Sequence, residues 1–319
     1  MAEKFPVSPA VSGIHHVTAI AGDPQKNYNF YVLGLGLRFV KKTINFDDPQ
    51  TFHLYYGDET GRPGSILTFF PWGERAYKGR RGIGQVTTIS FLVPKNSLAY
   101  WQERLKELNI QFTGPFKRFN DDVILFEDHD GFELEILAAD NIQNDGWDNG
   151  EIPAEHSIRG FHSVTLSLKE ASKTEDILEN ILGFKKIAEE DNRLRYKADG
   201  DSGGNFVDIL CIPGSAPGTM GVGAIHHIAW RTENSENQLK IRERIVKNDL
   251  SVTPVVDRNY FRSVYFREPE NILFEIATDP PGFLIDEDKN NLGTHLKLPP
   301  WYEESRDEIE KALPPLITK

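Results

Sequence analysis

One short strand occurs twice in this chain. Gly13-Ile14-His15-His16-Val17-Thr18-Ala19 stands near the start, and Ala224-Ile225-His226-His227-Ile228-Ala229-Trp230 stands far downstream. Two weaker copies lie between them, Gln85-Val86-Thr87-Thr88 and Gly160-Phe161-His162-Ser163-Val164-Thr165-Leu166. Each copy is followed by a helical pattern and then by short β-like runs, so one βαβββ unit is written four times. Such a unit cannot close a core alone, but two side by side can share one curved sheet with helices outside. The expectation is therefore an α+β protein of four βαβββ modules forming two curved eight-stranded mixed sheets.

Local signals place the units. In the first, Asp23-Pro24 is a helix start, with an N-cap and a proline at the first helical position. Tyr28, Tyr31 and Val32 follow at helical spacing, and Leu33-Gly34-Leu35-Gly36 stops the helix. Runs over 37–44, 51–56 and 65–70 complete the unit. In the second, 86–93 reads as a strand and 97–108 as a helix with Leu98, Trp101, Leu105 and Leu108 on one face; 123–127 and 132–137 are strands. Residues 140–157 lose hydrophobicity, with Asn141, Asn149 and Gly150 among them, and read as a linker. The third unit ends its helix at Ile181-Leu182-Gly183 and has strands near 193–197 and 206–212. The fourth has a helix over 235–247 and strands near 264–267 and 273–277. This gives modules one and two over 13–139, modules three and four over 159–279, a loose leader over 1–12 and a C-terminal tail over 280–319 with one helical pattern near 304–313.

The opening strands align on the residue before a Val/Ile-Thr-like pair. His16, Gln85, Ser163 and His227 then stand at equivalent positions, and His162 falls one residue out of register, towards the other strand face. The closing strands align Thr68, Glu135, Asp208 and Glu275. Units one and four together hold two imidazoles and a carboxylate, a metal site with room left for a substrate. At these positions units two and three hold Gln85, Ser163, Glu135 and Asp208, a set with no imidazole. Module one is therefore expected to pair with module four around a metal held by His16, His227 and Glu275, and module two with module three around a counterpart without one.

Composition narrows the function classes. A net charge of -12 and a pI near 5.3 argue against a nucleic-acid surface and a polybasic membrane patch. The single cysteine, Cys211, permits no intrachain disulfide and sits in the apolar run Ile209-Leu210-Cys211-Ile212, where a small core residue is expected. With no apolar leader segment and no membrane-length apolar run, a cytoplasmic protein is expected. Self-association stays open.

These features resemble the vicinal oxygen chelate superfamily of glyoxalases, fosfomycin-resistance transferases and extradiol dioxygenases. The resemblance covers 13–279 and rests on the repeated βαβββ order, the histidine-hydrophobic-threonine opening strand, the Leu-Gly-(Leu/Phe) helix ending and the closing Phe274-Glu275-Ile276 strand. Four units with paired histidines are most similar to the hydroquinone ring-cleaving dioxygenases. The resemblance implies a non-haem Fe(II) enzyme that uses O2 to open a small hydroquinone- or catechol-type ring, with Mn(II) or another divalent metal as substitute. Superfamily members with isomerase chemistry use four protein ligands; Thr68, at the fourth position here, is a poor one. The resemblance also implies that His15, His226, Thr18, Arg258 and Tyr265 lie near the substrate. Regular strand alternation objects to His15 and His226, which it turns away from the metal face. The alternatives are a glyoxalase-like or thiol-transferase metalloenzyme on the same fold, and a sequestering protein without turnover. His53, His129, His156 and His295 receive no role.

Overall fold

The structure, a computed structural model, describes residues 7–140, 142, 144–148, 151–200 and 203–318; leader residues 1–6 and the linker residues Asn141, Asn149 and Gly150 lie outside the described residues. The first unit contains β1 (Ile14–Ala21), β2 (Arg38–Asn45), β3 (Asp48–Gly57) and β4 (Ile66–Pro71). The second contains β5 (Gln85–Pro94), β6 (Phe112–Arg118), β7 (Asp121–Glu127) and β8 (Glu133–Ala139). The third contains β9 (Phe161–Leu168), β10 (Lys185–Glu190), β11 (Arg193–Lys197) and β12 (Phe206–Cys211). The fourth contains β13 (Ile225–Thr232), β14 (Val256–Asp257), β15 (Arg262–Arg267) and β16 (Leu273–Thr278).

These strands build two curved eight-stranded sheets, the architecture anticipated. One runs β14-β15-β16-β13-β1-β4-β3-β2 and the other β10-β11-β12-β9-β5-β8-β7-β6. The first thus joins units one and four across the antiparallel pair β1–β13, and the second joins units two and three across β5–β9. Within each unit the first and last strands pair in parallel, which requires the intervening crossover helix. In the first unit that helix, α1 (Pro24–Tyr28), is capped by Asp23, whose carboxylate accepts from the Lys26 amide at 2.7 Å. The helix α2 (Ser235–Lys247) is capped by Asn234 in the same way. One apolar cluster draws residues from both sheets, including Val17, Phe91, Trp101, Leu166 and Trp230. Cys211 is half-buried at its margin.

The two sheets touch where glycines let backbones meet. Ile14 donates its amide to Gly204 O at 2.8 Å, and Phe161 donates to Gly64 O at 2.8 Å. A Cβ on Gly13 or Gly160 would approach those same carbonyl oxygens to 2.8 Å, and both glycines have positive φ.

Three strands, β6, β10 and β14, were not legible in the sequence. All three are sheet edges. An edge strand has little surface to bury and carries charge or proline to block further pairing. Accordingly β10 reads Lys-Lys-Ile-Ala-Glu-Glu and is almost wholly exposed, β6 contains Pro115, and β14 has two residues.

Both junctions between opening strands are irregular in the same way. In β1–β13, the ladder shifts between Ile14 and His16 and between Thr18 and Ala19, the latter opposite His227 and Ile225. His15 and His226 are thus the extra residues of two β-bulges. In β5–β9 the shifts leave out Thr87 and His162. The parallel ladders agree: Thr18 faces Thr68, Ala229 faces Glu275, Ser90 faces Glu135 and Thr165 faces Asp208. The second-unit equivalent of His16 is therefore Thr88, a correction of three residues from Gln85. The sequence match to Val86-Thr87 was misleading because Thr88-Ile89-Ser90 carries the same pattern without a hydrophobic-threonine pair.

The tail packs on the first sheet. Leu296 bridges to Lys42 at the edge of β2, and the Tyr302 hydroxyl donates to Phe46 O at 3.1 Å. Phe283 and Leu292 enter the concave side with Val40, Tyr55 and Tyr260. The helical pattern near 304–313 is the helix α3 (Arg306–Ala312). Among the described residues no helix is long and apolar enough to cross a membrane.

Candidate metal centre

His16, His227 and Glu275 converge on the concave face of the first sheet. Glu275 Oε2 lies 3.0 Å from His227 Nε2 and 3.5 Å from His16 Nε2, and the two Nε2 atoms are 3.4 Å apart. Glu275 is fully buried, and its Oε2 makes no hydrogen bond despite the short approach of His227. Its other oxygen accepts from Ser263 Oγ. Among the described residues this is the one group of three histidine, cysteine or carboxylate side chains placed to share a metal ion.

The triangle has the dimensions of a metal's ligand face. Ligand atoms about 2.1 Å from one ion lie about 3.0 Å apart in octahedral and about 3.4 Å apart in tetrahedral geometry. Two of the observed edges, 3.0 and 3.4 Å, fall in that interval, and the third, between His16 and Glu275, is 3.5 Å. A buried carboxylate oxygen without a hydrogen bond is expensive, and a cation among the three atoms would satisfy it. Burial alone pushes the Glu275 carboxyl up, but the attraction of His16, and then of His227, outweighs it and holds the carboxyl well below its usual range. His227 is pushed down by burial, against the pull of Glu275.

Each of these histidines is held from behind by its neighbour. His15 Nδ1 is 2.9 Å from His16 Nδ1, and His226 Nδ1 is 2.8 Å from His227 Nδ1. For Nε2 to offer a lone pair, the proton of His16 and of His227 must sit on Nδ1 and be donated to the preceding ring. Burial, then the adjacent His16, drives the His15 imidazole well below its ordinary value; burial and His227 push His226 down to about 3. Both partner rings are therefore neutral acceptors. The bulges resolve the alternation objection, since the extra residue in each strand breaks the strict two-residue period.

A cavity of about 300 Å³ opens over the triangle. His226, Arg258 and Tyr265 line it; His15 and Thr18 do not. His15 is buried beneath Phe261, with ring centroids 5.0 Å apart. Thr18 accepts a hydrogen bond from Thr68 at 2.8 Å. Arg258 Nε donates to the Tyr265 hydroxyl at 3.0 Å, and its Nη2 reaches Asp47 at 3.0 Å. Burial and Glu275 push the Tyr265 phenol well up, so it stays protonated. The Tyr265 ring stands edge-on to His227 at 5.9 Å.

His53 and Tyr55 also line this cavity, and sequence reasoning missed them. Their spacing was the available signal, because residues two apart on a strand share a face. The larger groove on the molecule, about 990 Å³ between Phe30, Leu33, Leu108 and Phe112, is remote from the triangle.

In the second sheet the equivalent carboxylates meet guanidinium groups. Glu135 accepts from Ser90 at 2.6 Å and from Arg118 at 2.5 Å. Asp208 is held by Arg193 and by Arg195, the latter through Nε at 2.7 Å and Nη2 at 3.0 Å. His162 lies here, its Nδ1 3.1 Å from Ser163 Oγ and its ring stacked on Phe206 at 4.6 Å.

The chain is similar over nearly its full length to known proteins. It is 46% identical over 303 residues to MhqO of Bacillus subtilis (strain 168), provisionally named a ring-cleaving dioxygenase, covering 95% of this chain and 96% of that protein. It is 32% identical over 311 residues to the chlorohydroquinone/hydroquinone 1,2-dioxygenase of Sphingobium indicum, covering 95% and 96%. A crystal structure from Bacillus subtilis, provisionally called a dioxygenase, superposes with a TM-score of 0.94 at 45% identity over 97% of this chain and 99% of that one. Maize glyoxalase I shares the fold alone, with a TM-score of 0.65 at 13% identity over 89% and 97%. Residues 13–136 and 160–285 each match one family profile, and the chain belongs to the Glyoxalase/Bleomycin resistance protein/Dioxygenase superfamily.

Proposed function

We propose that the protein is an Fe(II)-dependent ring-cleaving dioxygenase that opens hydroquinone- or catechol-type aromatics with O2. The observation that carries this reading is a three-ligand face whose fourth module position is Thr68, a hydroxyl already engaged by Thr18 and His53. Two imidazoles and one carboxylate leave positions free, which suits the binding of a substrate oxygen and O2. The names of the relatives support the same chemistry. When bound, Fe(II) supplies the one-electron chemistry that lets triplet O2 react with a spin-paired ring.

The chain's own residues supply the rest. His16 and His227, fixed by His15 and His226, hold their lone pairs towards Glu275. Neutral His226, on the cavity wall, accepts from His227 through Nδ1 and so carries its own proton on Nε2, from which it can donate to a substrate oxygen. Arg258 carries a permanent positive charge to the wall and can hold a phenolate or a developing carboxylate. Tyr265, protonated and oriented by Arg258, can donate to oxygen as negative charge develops there. Phe70, Phe261 and Leu273 give the ring an apolar wall.

The test is anaerobic loading with Fe(II) followed by oxygen-electrode assays with hydroquinone, catechol and a methylglyoxal–thiol adduct. Oxygen uptake with a dihydroxybenzene and formation of a ring-opened acid are expected. Turnover of the adduct without oxygen uptake would establish isomerase chemistry instead.

A further inference from the structure

We propose that Tyr55, oriented by His53, is the receptor for the substrate hydroxyl that is not held at the metal centre, which makes the pair a specificity determinant for para-dihydroxybenzenes. The inference rests on the dioxygenase reading above and goes beyond it.

A row of facing residues runs across the half-barrel. Tyr55 on β3 faces Thr68 on β4, Thr68 faces Thr18 on β1, and Thr18 faces His227 on β13. Tyr55 and His227 thus stand three strands apart on a curved sheet, and both line the same cavity. A ring whose first oxygen lies at the His227 end presents its far side to the wall that carries Tyr55.

The hydrogen bonds give that wall a definite polarity. Thr68 Oγ1 donates to Thr18 Oγ1 at 2.8 Å, so its contact with His53 Nε2, also 2.8 Å, requires His53 to donate. The neutral imidazole then carries its proton on Nε2 and only a lone pair on Nδ1. Tyr55 must donate its hydroxyl proton to that Nδ1, at 2.8 Å. The phenol oxygen is left with lone pairs and no proton to offer the cavity. It accepts from an O–H and has nothing to give an ether or a carbonyl. Burial, then His16 and His227, keep the His53 imidazole well below its ordinary value, which preserves the neutral form.

The polarity discriminates by ring pattern. The second hydroxyl of a hydroquinone lies opposite the first, where Tyr55 can accept its proton. The second hydroxyl of a catechol is adjacent to the first and stays at the metal end. A site built around a hydroxyl penalises an analogue that lacks it, because the buried acceptor is left unpaired.

The test measures anaerobic binding of hydroquinone and of 4-methoxyphenol, whose second oxygen has no proton, to the Fe(II)-loaded full-length protein. The wild type is expected to bind hydroquinone roughly tenfold more tightly. Tyr55→Phe should erase that preference while 4-methoxyphenol binding and metal content stay unchanged. His53→Leu should do the same, and His53→Gln, whose amide oxygen can still accept the Tyr55 proton, should retain it. Equal weakening for both ligands would mean a merely structural role and overturn the inference. So would a hydroquinone preference that survives both Tyr55→Phe and His53→Leu. If wild-type protein binds and oxidises catechols but shows no preference for hydroquinone over the ether, the inference fails and the dioxygenase reading stands. If it binds no dihydroxybenzene at all, both fail.

Discussion

The Nδ1 atoms of His15 and His16 lie 2.9 Å apart, although neighbours in a regular strand point to opposite faces. A β-bulge at His15 makes this contact, and a second bulge makes its counterpart between His226 and His227. Removing an outer partner of a ligand histidine commonly weakens metal binding 10–100-fold. His15→Phe and His226→Phe keep a ring and lose the acceptor. Each is expected to bind Fe(II) 10–100-fold more weakly in a competitive chelator titration, with the fold intact. Unchanged affinity would mean that the bulges serve packing alone.

Arg258 and Tyr265 lie on the cavity wall and outside the ligand triangle. Arg258→Met and Tyr265→Phe should keep full metal content. Oxygen uptake with hydroquinone should fall by 10-fold or more, roughly the loss expected for removing a group that stabilises developing charge. Parallel metal analysis and oxygen-electrode assays check this. Loss of metal in either variant would place these residues in the metal site itself.

In the second sheet, Glu135 is buried against Arg118 and Ser90. Deleting one partner of a buried ion pair leaves the other charge uncompensated. Arg118→Ala should therefore destabilise the protein by about 3 kcal/mol in urea unfolding. The double variant Arg118→Met with Glu135→Met should recover most of that loss. A single variant as stable as wild type would show that Glu135 finds another partner or protonates.

The His162 imidazole, far from the triangle, is pushed down to about 4, chiefly by burial and then by Arg195. The folded protein keeps it neutral where the unfolded chain protonates it, near pH 6.5. The unfolded state thus binds the extra proton, and stability falls as pH drops from 6.5 towards 4. His162→Phe should reduce that acid dependence by close to one proton at pH 5, about 1.4 kcal/mol per pH unit. Urea midpoints at pH 7.5 and pH 5 give the comparison, and an unaltered slope would refute the assignment.

Much of this was legible because the repeat writes its core twice over. The buried opening and closing strands alternate or run apolar, so Val17, Ile228, Phe274 and Ile276 announce themselves. Edge strands bury little, and β10 with its lysines and glutamates therefore reads as a loop. The bulges were illegible for a different reason. Nothing in Thr87-Thr88 distinguishes the residue that leaves the ladder from the one that stays, and the Val86-Thr87 pair drew the alignment to Gln85. Tyr55 and His53 were hidden because their significance depends on the curvature that brings β3 opposite β13. The tail's apolar residues Phe283 and Leu292 gained meaning only from the concave space they fill.

The proposed metal face is shared between the first and fourth units, with His16 as a ligand and His162 in the other sheet. Metal content of Fe(II)-loaded His16→Ala and His162→Ala proteins tests it most directly, with His227→Ala and Glu275→Ala as companions. His162→Ala is expected to retain stoichiometric metal, and the other three to lose it, since affinity depends on ligand number and geometry. Full metal in His16→Ala with loss in His162→Ala would rule out this arrangement and place the site wholly within the third and fourth units.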